Sequence, residues 1–113
     1  MADKTVLNKK VNEIINDYRA ALVQNGIPVE KIILFGSRAK GTARNWSDID
    51  LCVISKIFGH DHFDEMVRLK RLTVDVEPLI EPHPYHPNDL KEDLDPLIHE
   101  IRTYGQEIPL DNP

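Results

Sequence analysis

The sequence predicts a small α/β domain, a short β-sheet flanked by helices, and three observations predict it. The chain opens with Leu7, Val11, Ile14, Ile15, Tyr18 and Leu22 at three- and four-residue intervals, the spacing of a single helix face. Two apolar runs follow, Ile32 to Phe35 and Ile49 to Ile54, separated by Gly36, Ser37 and a short polar segment, an order that reads as strand, turn, helix start, strand. The second half repeats the alternation with a helical pattern, another short run and a helical tail. At 113 residues the expectation is one domain over 1–113 with its own core.

Each element has its local reason. Thr5 to Asn25 reads as the first helix, stopped by Gly26 with Pro28 beyond, and Val29 to Phe35 as the first strand. Gly36 permits a tight turn, Ser37 suits an N-cap, and Gly41 keeps the helix after them short. Trp46 and Ser47 lead into the second strand, with Trp46 read as a packing residue. Lys56 to Leu72 has a helical pattern with Phe63, Met66, Val67 and Leu69 inward. Thr73 to Ile80 reads as a third strand. Pro82, Pro84 and Pro87 make Glu81 to Asn88 a loop. Asp89 to Gln106 reads as helical, with Leu90, Leu94, Leu97, Ile98 and Ile101 apolar; Pro96 either breaks it or opens its second piece, and Gly105 is the stop. Ile108 to Leu110 is an apolar end that packs back on the core or meets a partner.

The chemistry concentrates between Gly36 and Asp50. Side chains on a strand alternate faces, so Asp48 and Asp50 project together while Ile49, Leu51 and Val53 point the other way. Two carboxylates on one face repel unless a cation sits between them, a proton is shared or both are well solvated. Beside them, the first amides of the helix after Gly36 and Ser37 form a seat for an anion, phosphate above all. Together these describe a site for a metal-bound nucleoside triphosphate. Arg38, Lys40 and Arg44 form the only local basic cluster; they either neutralise triphosphate charge or make a solvated helix face. Cys52 shares the aspartate face but reads as a small buried side chain. His60 and His62 read as a solvated helix start, and His83 and His86 as loop residues, with no metal role.

The spacing Gly-Ser, ten residues, Asp-x-Asp, carried here by Gly36, Ser37, Asp48 and Asp50, resembles the signature of the DNA polymerase β-type nucleotidyltransferase superfamily. The short chain is similar to its minimal nucleotidyltransferases, the MNT domains that work beside a HEPN-domain partner. This resemblance implies a small mixed β-sheet flanked by helices, the polymerase β-like nucleotidyltransferase fold. It implies ATP as substrate and two Mg²⁺ ions held by Asp48, Asp50 and a third carboxylate on a separate strand. Asp75, in Thr-Val-Asp-Val-Glu, matches that third position, with Glu77 the runner-up on the same strand face. Gly36 and Ser37, with Arg38 and Lys40, would hold the phosphates. The enzymatic reading requires that Asp75 share a sheet face with Asp48 and Asp50.

The resemblance further implies an antitoxin that transfers AMP from ATP to a hydroxyl, typically a tyrosine, of a HEPN ribonuclease toxin. Two alternatives stay open: neutralisation of a partner by binding alone, and a stand-alone enzyme acting on a small molecule, whose acceptor pocket an oligomer would have to complete. A homo- or hetero-oligomer fits any of these. The chain does not itself read as a HEPN nuclease, because no Arg is followed at the required interval by His. The net charge of −5 and pI near 5.4 argue against direct binding to nucleic-acid backbones, which draws on clustered Lys and Arg. Asp3, Lys4, Asn8, Lys9 and Lys10 interrupt any signal-like apolar run, and no stretch reads as a membrane span. A single cysteine, Cys52, forms no internal disulfide, and a cytoplasmic location is the expectation.

Overall fold

The computed structural model describes residues 4–91 and 95–110, with side chains from residue 10 onward. Helix α1 (Lys4–Gln24) leads into β1 (Lys31–Phe35), the short α2 (Ser37–Lys40), β2 (Ile49–Ile54) and α3 (His62–Arg71). After these come β3 (Ile80–Tyr85), a 3₁₀ turn (Pro87–Lys91), α4 (Pro96–Tyr104) and the two-residue β4 (Gln106–Glu107). The sheet order is β3-β2-β1-β4. β1 runs antiparallel to β2 and β4, and β2 runs parallel to β3, so the sheet is mixed. Among the described residues no helix is long and apolar enough to cross a membrane.

The period-two pattern of β2 divides the core. Ile49, Leu51 and Val53 join Ile32 and Leu34 of β1 against Ile15, Tyr18 and Leu22 of α1 and Leu69 of α3. Cys52 and Ile54 face the other way, with Phe35 and Tyr85, onto Ile98 and Ile101 of α4. The buried Tyr18 hydroxyl donates to the Leu69 carbonyl at 2.7 Å, so α1 and α3 are tied by a satisfied polar group within an apolar layer. The inward placements expected of Leu7 and Leu94 lie outside the described side chains.

Helix ends follow their residues. Asp61 caps α3 by accepting the Asp64 amide at 3.1 Å, while the Glu65 carboxylate accepts the amides of Gly59 and His60, both at 3.1 Å, a reciprocal cap. α3 therefore begins later than the helical pattern suggested, and His60 and His62 lie exposed at its start. Asp95 caps α4, Pro96 takes the first helical position and Gly105 ends it, so Pro96 opens a helix and breaks none. Beyond Gly105 the chain pairs with β1, and Ile108 is buried in the α1-side core with Leu110 packed against it.

Three expectations need correcting here. Phe63 is 72% exposed and Val67 lies on the surface, whereas Leu69 is buried; α3 turns only part of its expected apolar stripe inward. Thr73 to Leu79 forms no strand. Thr73 and Val76 donate to Lys70 and Thr73 carbonyls, both at 3.0 Å, and Glu77 donates to Thr73 at 2.8 Å, so the segment coils through successive turns below α3. The third strand is Ile80–Tyr85, starting at the last residue of the expected strand and running through most of the expected proline loop.

Strand β3 accommodates Pro82 and Pro84 because it is an edge. The Leu79 and Tyr85 carbonyls accept from β2 or the residue that follows it, Ile49 and Ser55, so odd-numbered residues present their backbone to the sheet. Even-numbered residues, both prolines included, present theirs to the open side, where a missing N–H costs no ladder bond. Lys70 covers that side, donating to the Pro78 and Ile80 carbonyls at 3.1 and 2.6 Å.

Candidate active site

The register of the three strands assembles one corner of the sheet. Phe35, the last residue of β1, pairs with Asp50, and Asp50 pairs with Glu81 of β3. Alternation puts the Asp50 and Glu81 side chains on the α4 face together. Asp48 enters just ahead of β2, exposed, while Asp50 is half-buried. The chain turns away from β1 at Gly36, whose φ of 74° and ψ of −154° belong to glycine. A methyl group there would also collide with the Asp50 carboxylate. Glycine is thus required twice over, and it lets an acidic side chain lie directly against the turn that starts α2.

That turn exposes donors. The Lys40 amide closes onto the Gly36 carbonyl at 3.1 Å, which leaves the amides before it without intrahelical acceptors. Ser37 was expected to cap the helix. Gly36 holds the cap position instead, without a side-chain bond, so the Ser37 hydroxyl is the first side chain of the helix.

The electrostatics of the corner are those of crowded carboxylates. Burial, then the charges of Asp48, Glu81 and Glu100, push Asp50 above the usual carboxylate range. Two lysines partly offset this. Lys70 reaches round the edge strand to one Glu81 oxygen at 3.1 Å, and Lys40 bonds Glu100 of α4 while lying 4.8 Å from the Tyr104 ring centroid. The Lys40 ammonium is held above its ordinary pKa by the Glu100 hydrogen bond and charge. No lysine or arginine is bonded to Asp48 or Asp50 among the described residues.

Arg38 turns towards the loop that precedes Asp48. One guanidinium nitrogen donates to the carbonyls of Arg44 and Asn45, each at 3.3 Å, and of Ser47 at 2.8 Å. Arg44 stands 5.7 Å over the Trp46 ring, and Trp46 is 70% exposed; it is a surface residue of the loop into Asp48, not the packing residue its apolar character suggested. His83, expected in a loop, lies on β3 with its ring 5.3 Å from that of Phe35, and burial lowers its pKa. Cys52 is buried, as expected, and burial raises its thiol pKa to about 12.

The third acid is the main correction. Asp75 sits exposed in the turns after α3, off the sheet. The Glu77 carboxylate accepts the Leu79 amide at 3.0 Å, a local turn contact. The acid that shares a strand face with Asp50 is Glu81, which sequence reasoning placed in a loop. Alternation of Glu81, His83 and Tyr85 against Ile80, Pro82 and Pro84 was the available signal, masked by the prolines.

The set has the donor chemistry that a hard divalent cation takes. It offers only carboxylate oxygens, among them a half-buried group with no counter-charge, and like-charged neighbours make a cation favourable there. Among the described residues no three potential ligand side chains form a finished cage.

The family profile of the nucleotidyltransferase domain matches residues 15–97. The chain belongs to that family. It is 32% identical over 105 residues to "Putative protein adenylyltransferase MJ1305" of Methanocaldococcus jannaschii, an alignment covering 84% of this chain and 69% of the relative. The nucleotidyltransferase fold is also seen in solved structures. A toxin–antitoxin complex with AMP-PNP superposes with a TM-score of 0.59 at 22% identity, covering 85% of this chain and 73% of that one. The MntA–HpeT toxin–antitoxin complex carrying Y104A gives 0.59 at 23% identity, covering 85% and 72%. A structure described as a possible nucleotidyltransferase of Sulfolobus solfataricus gives 0.63 at 19%, covering 80% and 81%.

Proposed function

We propose that this nucleotidyltransferase moves AMP from Mg²⁺-bound ATP to a hydroxyl on a partner protein, a tyrosine of a HEPN ribonuclease toxin, and so neutralises it. The observation that carries the proposal is the placement of Asp50 against Gly36 with Asp48 and Glu81 beside it, which sets a cation-seeking acid cluster next to a phosphate-seeking turn. The adenylyltransferase relative and the toxin–antitoxin structures that share the fold support the choice of acceptor.

In this reading Asp48, Asp50 and Glu81 bind divalent metal, and the amides and hydroxyl at Ser37 hold the β- and γ-phosphates. Lys40 adds positive charge at the same turn by exchanging its surface partner Glu100 for a phosphate oxygen; such surface pairs hold weakly. A bound divalent pair supplies Lewis-acid stabilisation of the attacking and leaving oxygens. The acceptor oxygen forms a bond to the α-phosphorus, the bond from that phosphorus to the β-phosphate bridging oxygen breaks, and pyrophosphate leaves. Glu81, one oxygen of which accepts from Lys70, would take the hydroxyl proton on the other. The residues thus contribute positioning and charge neutralisation.

The test is incubation with Mg²⁺ and ATP labelled at either the α- or the γ-phosphate, together with the protein encoded beside this chain. The proposal expects α-label on the partner's tyrosine and γ-label in pyrophosphate. Label on a small molecule, or tight binding with no label transferred, would refute it.

A further inference from the structure

Arg38 lies one residue past Ser37, where a cation would naturally be assigned to the triphosphate, yet its geometry points elsewhere. Its terminal nitrogen holds three carbonyls of one loop, those of Arg44, Asn45 and Ser47. The same loop is closed by the Ser47 amide onto the Arg44 carbonyl at 3.0 Å and by the Arg44 amide onto the Ser47 hydroxyl at 2.8 Å. Ser47 is bonded to Asp48, so whatever fixes the Ser47 carbonyl fixes the entry of that carboxylate.

We propose that Arg38 is a positioning residue for Asp48: it locks the Arg44–Ser47 loop and thereby presents the first metal-binding acid, and it is not a phosphate ligand. The role rests on the function proposed above, but its structural half can be tested without turnover. An exposed loop with few apolar contacts depends on such bonds for order, and groups that orient metal ligands typically contribute roughly ten- to a hundredfold to metal affinity. A lysine would keep the charge near the turn, but its ammonium ends a bond short of the arginine fork and is a point charge.

Trp46, the only tryptophan, sits inside this loop and reports on it. The experiment compares wild type, Arg38→Met and Arg38→Lys, free of metal and nucleotide, by Trp46 fluorescence anisotropy and acrylamide quenching, with circular dichroism to confirm folding. Mn²⁺ affinity without nucleotide is then measured by electron paramagnetic resonance. Both variants should show lower anisotropy, faster quenching and Mn²⁺ affinity weaker by about tenfold. The proposal is overturned if Trp46 and Mn²⁺ affinity match wild type in either folded variant while only ATP affinity falls, and equally if lysine restores wild-type behaviour in full. Should wild type itself bind no Mn²⁺, the proposed function fails, while the Trp46 comparison still decides whether Arg38 orders the loop.

Discussion

Replacing Asp50 by Asn should make the metal-free protein more stable at neutral pH, because burial and then neighbouring negative charge disfavour the ionised Asp50 carboxylate. Asn is nearly isosteric, so it keeps the contact with Gly36. Three charges act on Asp50, but Lys70 offsets Glu81 and Lys40 offsets Glu100, which leaves Asp48 as the unshielded neighbour. Two charges two strand residues apart are separated by about 6.6 Å, worth roughly 0.6 kcal/mol at the dielectric of water and about 2.5 kcal/mol at an effective value of 20. Since both groups are partly solvated, a net gain of about 1 kcal/mol at low salt is expected, or roughly 4 °C in Tm. The folded-state pKa of Asp50 lies above its unfolded value. The stability of its protonated form is therefore complete at low pH and lost as pH rises through the folded pKa. Accordingly the variant's advantage should vanish below the usual carboxylate range and open as pH rises above it. Thermal unfolding in EDTA across pH measures this directly. Millimolar Mg²⁺ with ATP should reverse the order, since ligand bound only by the native wild type adds about 1.4 kcal/mol at ten times its Kd. An Asp50→Asn protein less stable than wild type in EDTA at neutral pH, or one stabilised equally by Mg²⁺ and ATP, would refute the reasoning.

Three further substitutions test the assignment of the corner. Glu81→Gln should lower kcat/KM for transfer by roughly a hundredfold or more, while Asp75→Asn should stay within about twofold; steady-state kinetics showing the reverse would restore Asp75 to the site. Gly36→Ala should cost about 2 kcal/mol or more in urea unfolding, from backbone strain and the collision with the Asp50 carboxylate, and an unchanged urea midpoint would contradict that contact.

The elements that were legible in the sequence are those whose signal is local. Gly36, Ser37 and Asp50 lie on one short strand-turn-helix-strand unit, where spacing and alternation put them, whereas Asp48 falls just ahead of β2 and not on its face. The inward face of α1 followed from Ile15, Tyr18 and Leu22, and Pro96 carried its own helix start. What was hidden depends on tertiary context. Val74 and Val76 alternate with acids as a strand would, but the coil after α3 consumes those residues in turns. Pro82 and Pro84 break a central strand, and only the knowledge that β3 is an edge, covered by Lys70, makes them compatible with pairing. The acid that shares the sheet with Asp50 is therefore Glu81, and Asp75 lies off the sheet, so the role proposed for the third carboxylate passes to Glu81. Arg38 was read by charge and proximity, whereas its hydrogen bonds give it to the loop ahead of Asp48. Phe63 and Trp46 were read by hydropathy, which does not report that a neighbouring surface is missing.

The measurement that bears most directly on the account is the crystal structure with Mn²⁺ and a non-hydrolysable ATP analogue, read at the manganese absorption edge. The account predicts anomalous density among Asp48, Asp50 and Glu81, with the triphosphate tail across the Gly36–Ser37 turn. Density beside Asp75 or in another cleft, with the Asp50 corner free of metal and phosphate, would contradict it.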